Sequence, residues 1–264
     1  ETMDGTAASD RALTYFVFPT AEGTEISLVN PSSAQTAAVT IRMIDDKGHD
    51  SGDQLLVSIP PRGRYEYRPP SRTTQNSSDA SYWSISSTAG LVAVERSGEP
   101  GIYESDLGAL DANGGSRQLY APQYVFGDGY RTRVTIMNLE DVATQLSVGL
   151  ADDRGRPLGS EATRSLAARG SVIIEDPSFF GMDPSGRVQG FLRATSSATR
   201  ITGTVQLGDP AAKRFQATLP LVAEGYKEVL YPCVAVNAGY ITGLAMVNPN
   251  PQPTDVEIEV FDAA

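Results

Sequence analysis

The sequence predicts an all-β fold: two tandem antiparallel β-sandwich (Ig-like) domains plus a C-terminal partial repeat of about two strands. Three observations predict it. A stretch beginning at Ser27, "SLVNPSSAQTAAVTIRMIDDKG", returns from Thr135 as "TIMNLEDVATQLSVGLADDRG" and from Ala245 as "AMVNPNPQPTDVEIEVFDAA". The Asn residues that mark the three copies, Asn30, Asn138 and Asn248, lie 108 and 110 residues apart. That spacing is a whole small domain rather than a solenoid unit. Around each Asn, apolar residues alternate with small or polar ones, the period of a strand with one buried face.

The elements follow in order. Before the Asn, Ile26 and Leu28 match Val134 and Ile136, then Leu244 and Met246. After a polar loop, Val39, Ile41 and Met43 match Leu146, Val148 and Leu150, then Val256, Ile258 and Val260. This second run closes in "DDKG" from Asp45 or "DDRG" from Asp152, turn chemistry that tolerates left-handed backbone. "SIPPRGRYEY" from Ser58 then matches "SLAARGSVII" from Ser165, with an Arg-Gly turn between two strands. "SYWSISS" from Ser81 matches "GFLRATS" from Gly190, and "GLVAVERSG" or "RITGTVQLGD" ends the copy. Each full copy thus holds about six or seven short strands, as a sandwich needs. "ESDLGALDANGG" from Glu104 reads as the interdomain linker, with one helical turn. The expected organisation is an N-terminal extension over 1–12, sandwiches over 13–114 and 115–222, and a partial third copy over 223–264 carrying only the first strand pair.

Composition limits function. A net charge of −11 argues against nucleic acid, which needs clustered Lys and Arg, and against docking on anionic lipid. No apolar stretch approaches the roughly 18 residues that span a bilayer. Glu1, with no charged-then-apolar leader ahead of it, suits a mature secreted chain or a trimmed one. Cys233 is the single cysteine, so no internal disulfide or cysteine-built metal site forms, and it reads as a small hydrophobe.

Sites are sparse. His49 is the only histidine, and the second copy has none at the matching place. No nucleophile elbow, zinc-binding His pair or phosphate loop occurs, so no enzyme and no cofactor is expected. Asp45, Asp46, Asp50 and Asp53 crowd one loop and could chelate calcium, but their spacing follows no calcium motif and reads better as a solvated hairpin tip. Tyr82 and Trp83 could stack on a sugar ring, although they point to opposite faces of one strand. Tyr65 and Tyr67 align with apolar Val172 and Ile174 and read as core. "NSS" at Asn76 fits the N-glycosylation pattern within a polar loop. The recurrent Asn is expected to organise the turn after its strand.

The series "LVNP", "VTIRMIDDKG", "SIPPRGRYEY" and "GLVAVERSG" resembles the repeated β-sandwich modules of uncharacterised secreted and cell-surface bacterial proteins. "IPPRG" and "GLVAVERSG" are also similar to the small β-sandwich transducer partner of microbial sensory rhodopsins. The resemblance covers Leu13 to about Gly98 and, more loosely, Gln118 to Gly208. The second copy departs from it, with Met137-Asn138-Leu139 for "VNP" and Ala167-Ala168 for two prolines. It implies extracellular, cell-surface or periplasmic scaffolding and supplies no catalytic residues.

The third copy points to partners. Leu244, Met246, Val256, Ile258 and Val260 form an apolar row that two strands alone leave wet. Three explanations stand: these strands extend or cap the second sandwich, they belong to a longer array, or a protein subunit, self or a neighbouring surface component, completes them by strand complementation. The function read from the sequence is a structural or adhesive β-sandwich protein of an extracellular assembly, with filament formation as one outcome. The rival is a carbohydrate-binding module of a secreted system, with a glycan as its partner.

Overall fold

The computed structural model describes residues 12–21, 23–69, 80–99, 102–209, 215–231, 236–237 and 240–261. Asn76, Cys233 and nearly all of the N-terminal extension lie outside them. Among the described residues there is no α-helix, and none that is long and apolar enough to cross a membrane.

The first module comprises β1 (Leu13–Pro19), β2 (Glu25–Val29), β3 (Ala37–Asp45), β4 (Asp50–Ile59), β5 (Arg64–Tyr67), β6 (Ala80–Glu99), β7 (Tyr103–Gly108) and β8 (Leu110–Asp111). One sheet runs β4-β3-β6-β1-β8, and the facing sheet places β2 between β5 and β6, with β7 beyond β6. The 20-residue β6 serves both sheets, pairing first with β1 and β3 and then with β2 and β7.

The second module repeats the plan with β9 (Gln118–Phe126), β10 (Arg131–Asn138), β11 (Thr144–Ala151), β12 (Pro157–Leu166), β13 (Ser171–Ile174), β14 (Val188–Ser196), β15 (Ile201–Gly208) and β16 (Gln216–Pro220). Its sheets run β12-β11-β14-β9 and β13-β10-β15-β16. Here β14 and β15 divide the work of β6. A short 3₁₀ turn, Pro177–Phe180, plugs Phe180 into the core.

Alternation decides what is buried. Val39, Ile41, Leu146, Val148 and Leu150 all face their cores, as do Ile26, Leu28, Val134 and Ile136. Two expectations need correction. The stretch from Glu104 is not a linker with a helical turn but β7 and β8, because Ser105, Leu107 and Leu110 alternate inward. The passage to the second module begins at Ala112, whose amide donates to the Tyr15 carbonyl.

The second correction concerns the repeated unit itself. Its two strands do not form a hairpin. β2 and β3 lie in opposite sheets and face each other across the core, and β10 and β11 do the same. The Asp-Asp turn joins β3 to β4, closed by the Asp45 amide on the His49 carbonyl at 3.0 Å.

The third copy follows from this geometry. It shows only β17 (Val236–Asn237) and β18 (Tyr240–Ile241), and the expected strands around Leu244–Met246 and Val256–Val260 carry no ladder. Segments equivalent to β2 and β3 cannot pair with one another. Each needs a β6-type neighbour, which the described residues of this copy do not supply.

Candidate functional site

The site is built on the Asn turn. Asn30 and Asn138 are fully buried. The Asn30 side chain accepts from the Ser32 amide at 3.1 Å and donates to the carbonyls of Gln35 at 2.8 Å and Ile59 at 3.1 Å. Asn138 accepts from Glu140 at 3.1 Å and donates to Val142 and Ala167, both at 2.8 Å. One side chain thus ties the loop after its own strand to the end of the strand preceding the Arg-Gly turn. Arg62 and Arg169 hold equivalent left-handed conformations in those turns, with φ of 56° and 55°. Asn248 forms the local half of the device, accepting from the Asn250 amide at 3.0 Å and donating to Gln252 at 2.7 Å. The expected turn-organising role holds in all three copies.

A second lock was not read from the sequence. Thr24 donates to the Ala21 carbonyl at 2.7 Å, and Thr132 donates to the Val125 carbonyl at 2.7 Å. Both stand six residues before their Asn, and Thr242 stands at the same offset in the third copy. That recurrence was the available signal.

The two sandwiches dock through the Arg-Gly turn of the second. Tyr82 donates to the Arg169 carbonyl at 2.8 Å, and Asp46 accepts from the Ser171 amide at 2.9 Å. The Ser171 and Ser81 hydroxyls are also hydrogen-bonded. The Arg169 guanidinium grips Asp141 through two bonds, at 2.7 and 3.1 Å, and donates to the Tyr15 hydroxyl at 2.7 Å. It holds the Asp141 carboxyl below the usual carboxylate range. Met137, on the outer face of β10, and Leu139, just beyond its end, pack into the first module's core. The hairpin tip approaches so closely that a Cβ on Gly48 would lie 1.9 Å from the Ala168 carbonyl oxygen.

Farther along the joint the surfaces are polar. Thr135, Thr204 and Thr218 are buried against the end of the first module, where Ser105 accepts from the Thr218 amide at 2.6 Å. Gln216 donates to Ser97 at 3.1 Å. Glu95 is 1 % exposed and faces a space of about 10 Å³ shared with Arg133 and these threonines, room for one water at most. Its oxygen lies 3.1 Å from the Thr24 hydroxyl. Burial pushes the Glu95 carboxyl up to about 8, against the lowering effect of that contact. The rim of the joint opens into a cleft of about 270 Å³ lined by Tyr103, Arg131, Arg133, Glu175 and Gln206 among others. The buried Arg133 Nε has no hydrogen-bond partner there, with Glu175 3.8 Å away.

The residues singled out in the sequence fall as follows. Tyr82 and Trp83 are 3 % and 8 % exposed, so neither ring has a face open to a sugar. Trp83 packs inward, edge-on to Tyr67 at 5.4 Å, and the second module covers Tyr82. Tyr65 and Tyr67 pack against the first core as expected. His49 is exposed at the hairpin tip, 3.2 Å from Asp45. The Asp45 carboxylate accepts from the amides of Lys47 and His49, and that of Asp50 from Gly52. These carboxylates are therefore engaged in shaping turns. The side chain of Asp53 lies outside the described residues, among which no three acidic, His or Cys side chains gather as metal ligands.

The third-copy row is open. Leu244, Met246, Val256, Ile258 and Val260 are all exposed, from 42 % at Leu244 to 74 % at Val260. No known family model matches the sequence, and no curated protein is similar to it at a significant level.

Proposed function

We propose that the chain is a non-catalytic structural protein of an extracellular or cell-surface assembly. Two docked β-sandwiches carry a third copy whose described residues include no β6-type strand, and a neighbouring subunit supplies that strand. The observation that carries this reading is the exposed row from Leu244 to Val260 beside a formed Asn248 turn. Covering such side chains is worth about 1.5–3 kcal/mol each.

The repeat specifies what would cover it. Leu244 and Met246 correspond to a strand of one sheet, and Val256, Ile258 and Val260 to a strand of the other. In the first module a single strand, β6, pairs with both. A β6-type strand entering from another subunit would complete both sheets at once, by strand addition. If that contact runs head to tail without closing, it propagates into a fibre.

Light scattering on the intact chain tests this. Mass should rise with concentration, and with salt, which screens the repulsion between copies that each carry −11. Val256→Asp with Ile258→Asp should return the chain to a monomer. A wild-type chain that stays monomeric throughout sinks the proposal.

Carbohydrate binding remains a second reading, now carried by the cleft at the joint rather than by Tyr82 and Trp83. Tyr103 offers an aromatic surface there, with Arg131, Gln206 and Gln216 as hydrogen-bonding groups. A glycan array decides it: a hit that survives Tyr103→Ala would not belong to this cleft.

A further inference from the structure

Beside Met137 and Leu139, which enter the first module's core, the joint between the first two modules pairs polar groups on both sides. The receiving end of the first offers Glu95, Ser97, Ser105 and Tyr82. The face that enters it offers Thr135, Thr204 and Thr218. The ladders carry each receiving residue to its twin in the second module. Ile26 pairs with Glu95 as Val134 pairs with Val205, and Ser97 pairs with Ser105 as Leu207 pairs with Ala217. Tyr82 corresponds to Phe191.

Every one of these polar groups is therefore replaced: Glu95 by Val205, Ser97 by Leu207, Ser105 by Ala217 and Tyr82 by Phe191. Leu207, Ala217 and Phe191 are half-buried. Beside them Tyr130 and Phe215 pack with ring centroids 5.8 Å apart while 44 % and 39 % exposed. The second module thus presents an apolar end where the first presents a polar one.

The third copy has changed to match. The outer positions filled by Arg133, Thr135 and Met137 in β10 are Gly243, Ala245 and Val247, with no polar side chain among them. Ala245 and Val247 are half-buried although their neighbours Leu244 and Met246 are exposed. The matching face of the first module is quite different. It carries the Arg68–Glu25 pair at 2.8 Å and the Arg96–Asp106 pair at 3.0 Å, a surface suited to solvent.

We infer that the apolar end of the second module, around Phe191, Leu207 and Ala217, is the docking surface for the outer face of the third copy of the same chain, through Ala245 and Val247. The two joints then differ in chemistry: beside Met137 and Leu139 the first pairs polar groups with polar groups, and the second pairs apolar with apolar. A wrong pairing would bury hydrogen-bonding groups without partners, which fixes the order of modules. This docking uses the opposite face from the row that takes a strand, so either can fail without the other.

The test is cross-linking of the intact chain in a Cys233→Ser background. Leu207→Cys with Ala245→Cys, treated with a short bismaleimide at high dilution, should give one bridge within a single chain. Adding Val247→Asp should cut its yield roughly tenfold, the effect of about 1.4 kcal/mol. Phe191→Cys with Val247→Cys provides a second pair if Leu207→Cys perturbs the module. Absence of a bridge in both pairs overturns the inference. So does a bridge that forms only between chains, which would make a second copy the occupant.

Discussion

The Tyr82 hydroxyl donates to the Arg169 carbonyl at 2.8 Å across 87 residues of chain, joining two sandwiches that each have their own core. Burial pushes this hydroxyl's pKa upward, so it remains a donor throughout the physiological range. Tyr82→Phe keeps the ring and deletes the bond, leaving a carbonyl without that donor. Stability should fall by about 1–2 kcal/mol, as for other lost buried hydrogen bonds. Urea denaturation measures it, and an unchanged midpoint would show that the modules do not depend on this contact.

Gly48 and Gly155 are twins with different neighbours. Both have left-handed backbone, with φ of 84° and 75°, but only Gly48 abuts the other module, and nothing lies within 4 Å of a Cβ at Gly155. Gly155→Ala should cost about 1–2 kcal/mol from backbone strain alone. Gly48→Ala should cost about 1–3 kcal/mol more, because the Ala168 carbonyl must move. Equal effects would argue that the hairpin tip contributes nothing to the joint.

The buried asparagines invite a similar comparison. Asn30→Ala or Asn138→Ala strips partners from several backbone groups and should cost about 2–4 kcal/mol. Asn248→Ala, at an exposed turn, should leave the cooperative melt of the first two modules unchanged. A melt equally sensitive to all three would mean that the third turn belongs to the same cooperative unit.

Glu95 makes stability depend on pH with a definite sign. Its folded value is about 8 against 4.5 for an exposed Glu, so between these the folded chain holds a proton that the unfolded chain has released. Its contribution is full below pH 4.5 and is lost as pH rises towards 8. Glu95→Gln should therefore stabilise the protein increasingly between pH 5 and pH 8, and Glu95→Val should imitate Val205. Melting curves that keep a constant offset across this range would contradict the burial argument.

Much of this was legible in the residues, and the failures have physical causes. Alternation told which side chains face a core, and Val39, Ile41, Leu146 and Val148 do. It does not tell which sheet a strand joins, and the first strand pair of each full copy divides between opposite sheets, as β2 and β3 do. Tyr82 read as a free ring because nothing in its own strand reveals that another module covers it. Nothing within "GLVAVERSG" itself marks Glu95. Only its pairing with Ile26, opposite the Val134–Val205 pair of the second copy, places a carboxyl where its twin is apolar.

The central claim is that the open row of the third copy is completed by another chain, and hydrogen exchange at residues 244–260 tests it most directly. Exchange there should be fast at high dilution and strongly protected as concentration and salt rise, with the protection abolished by Val256→Asp with Ile258→Asp. Exchange that is independent of concentration, whether uniformly fast or already slow in the monomer, would contradict it.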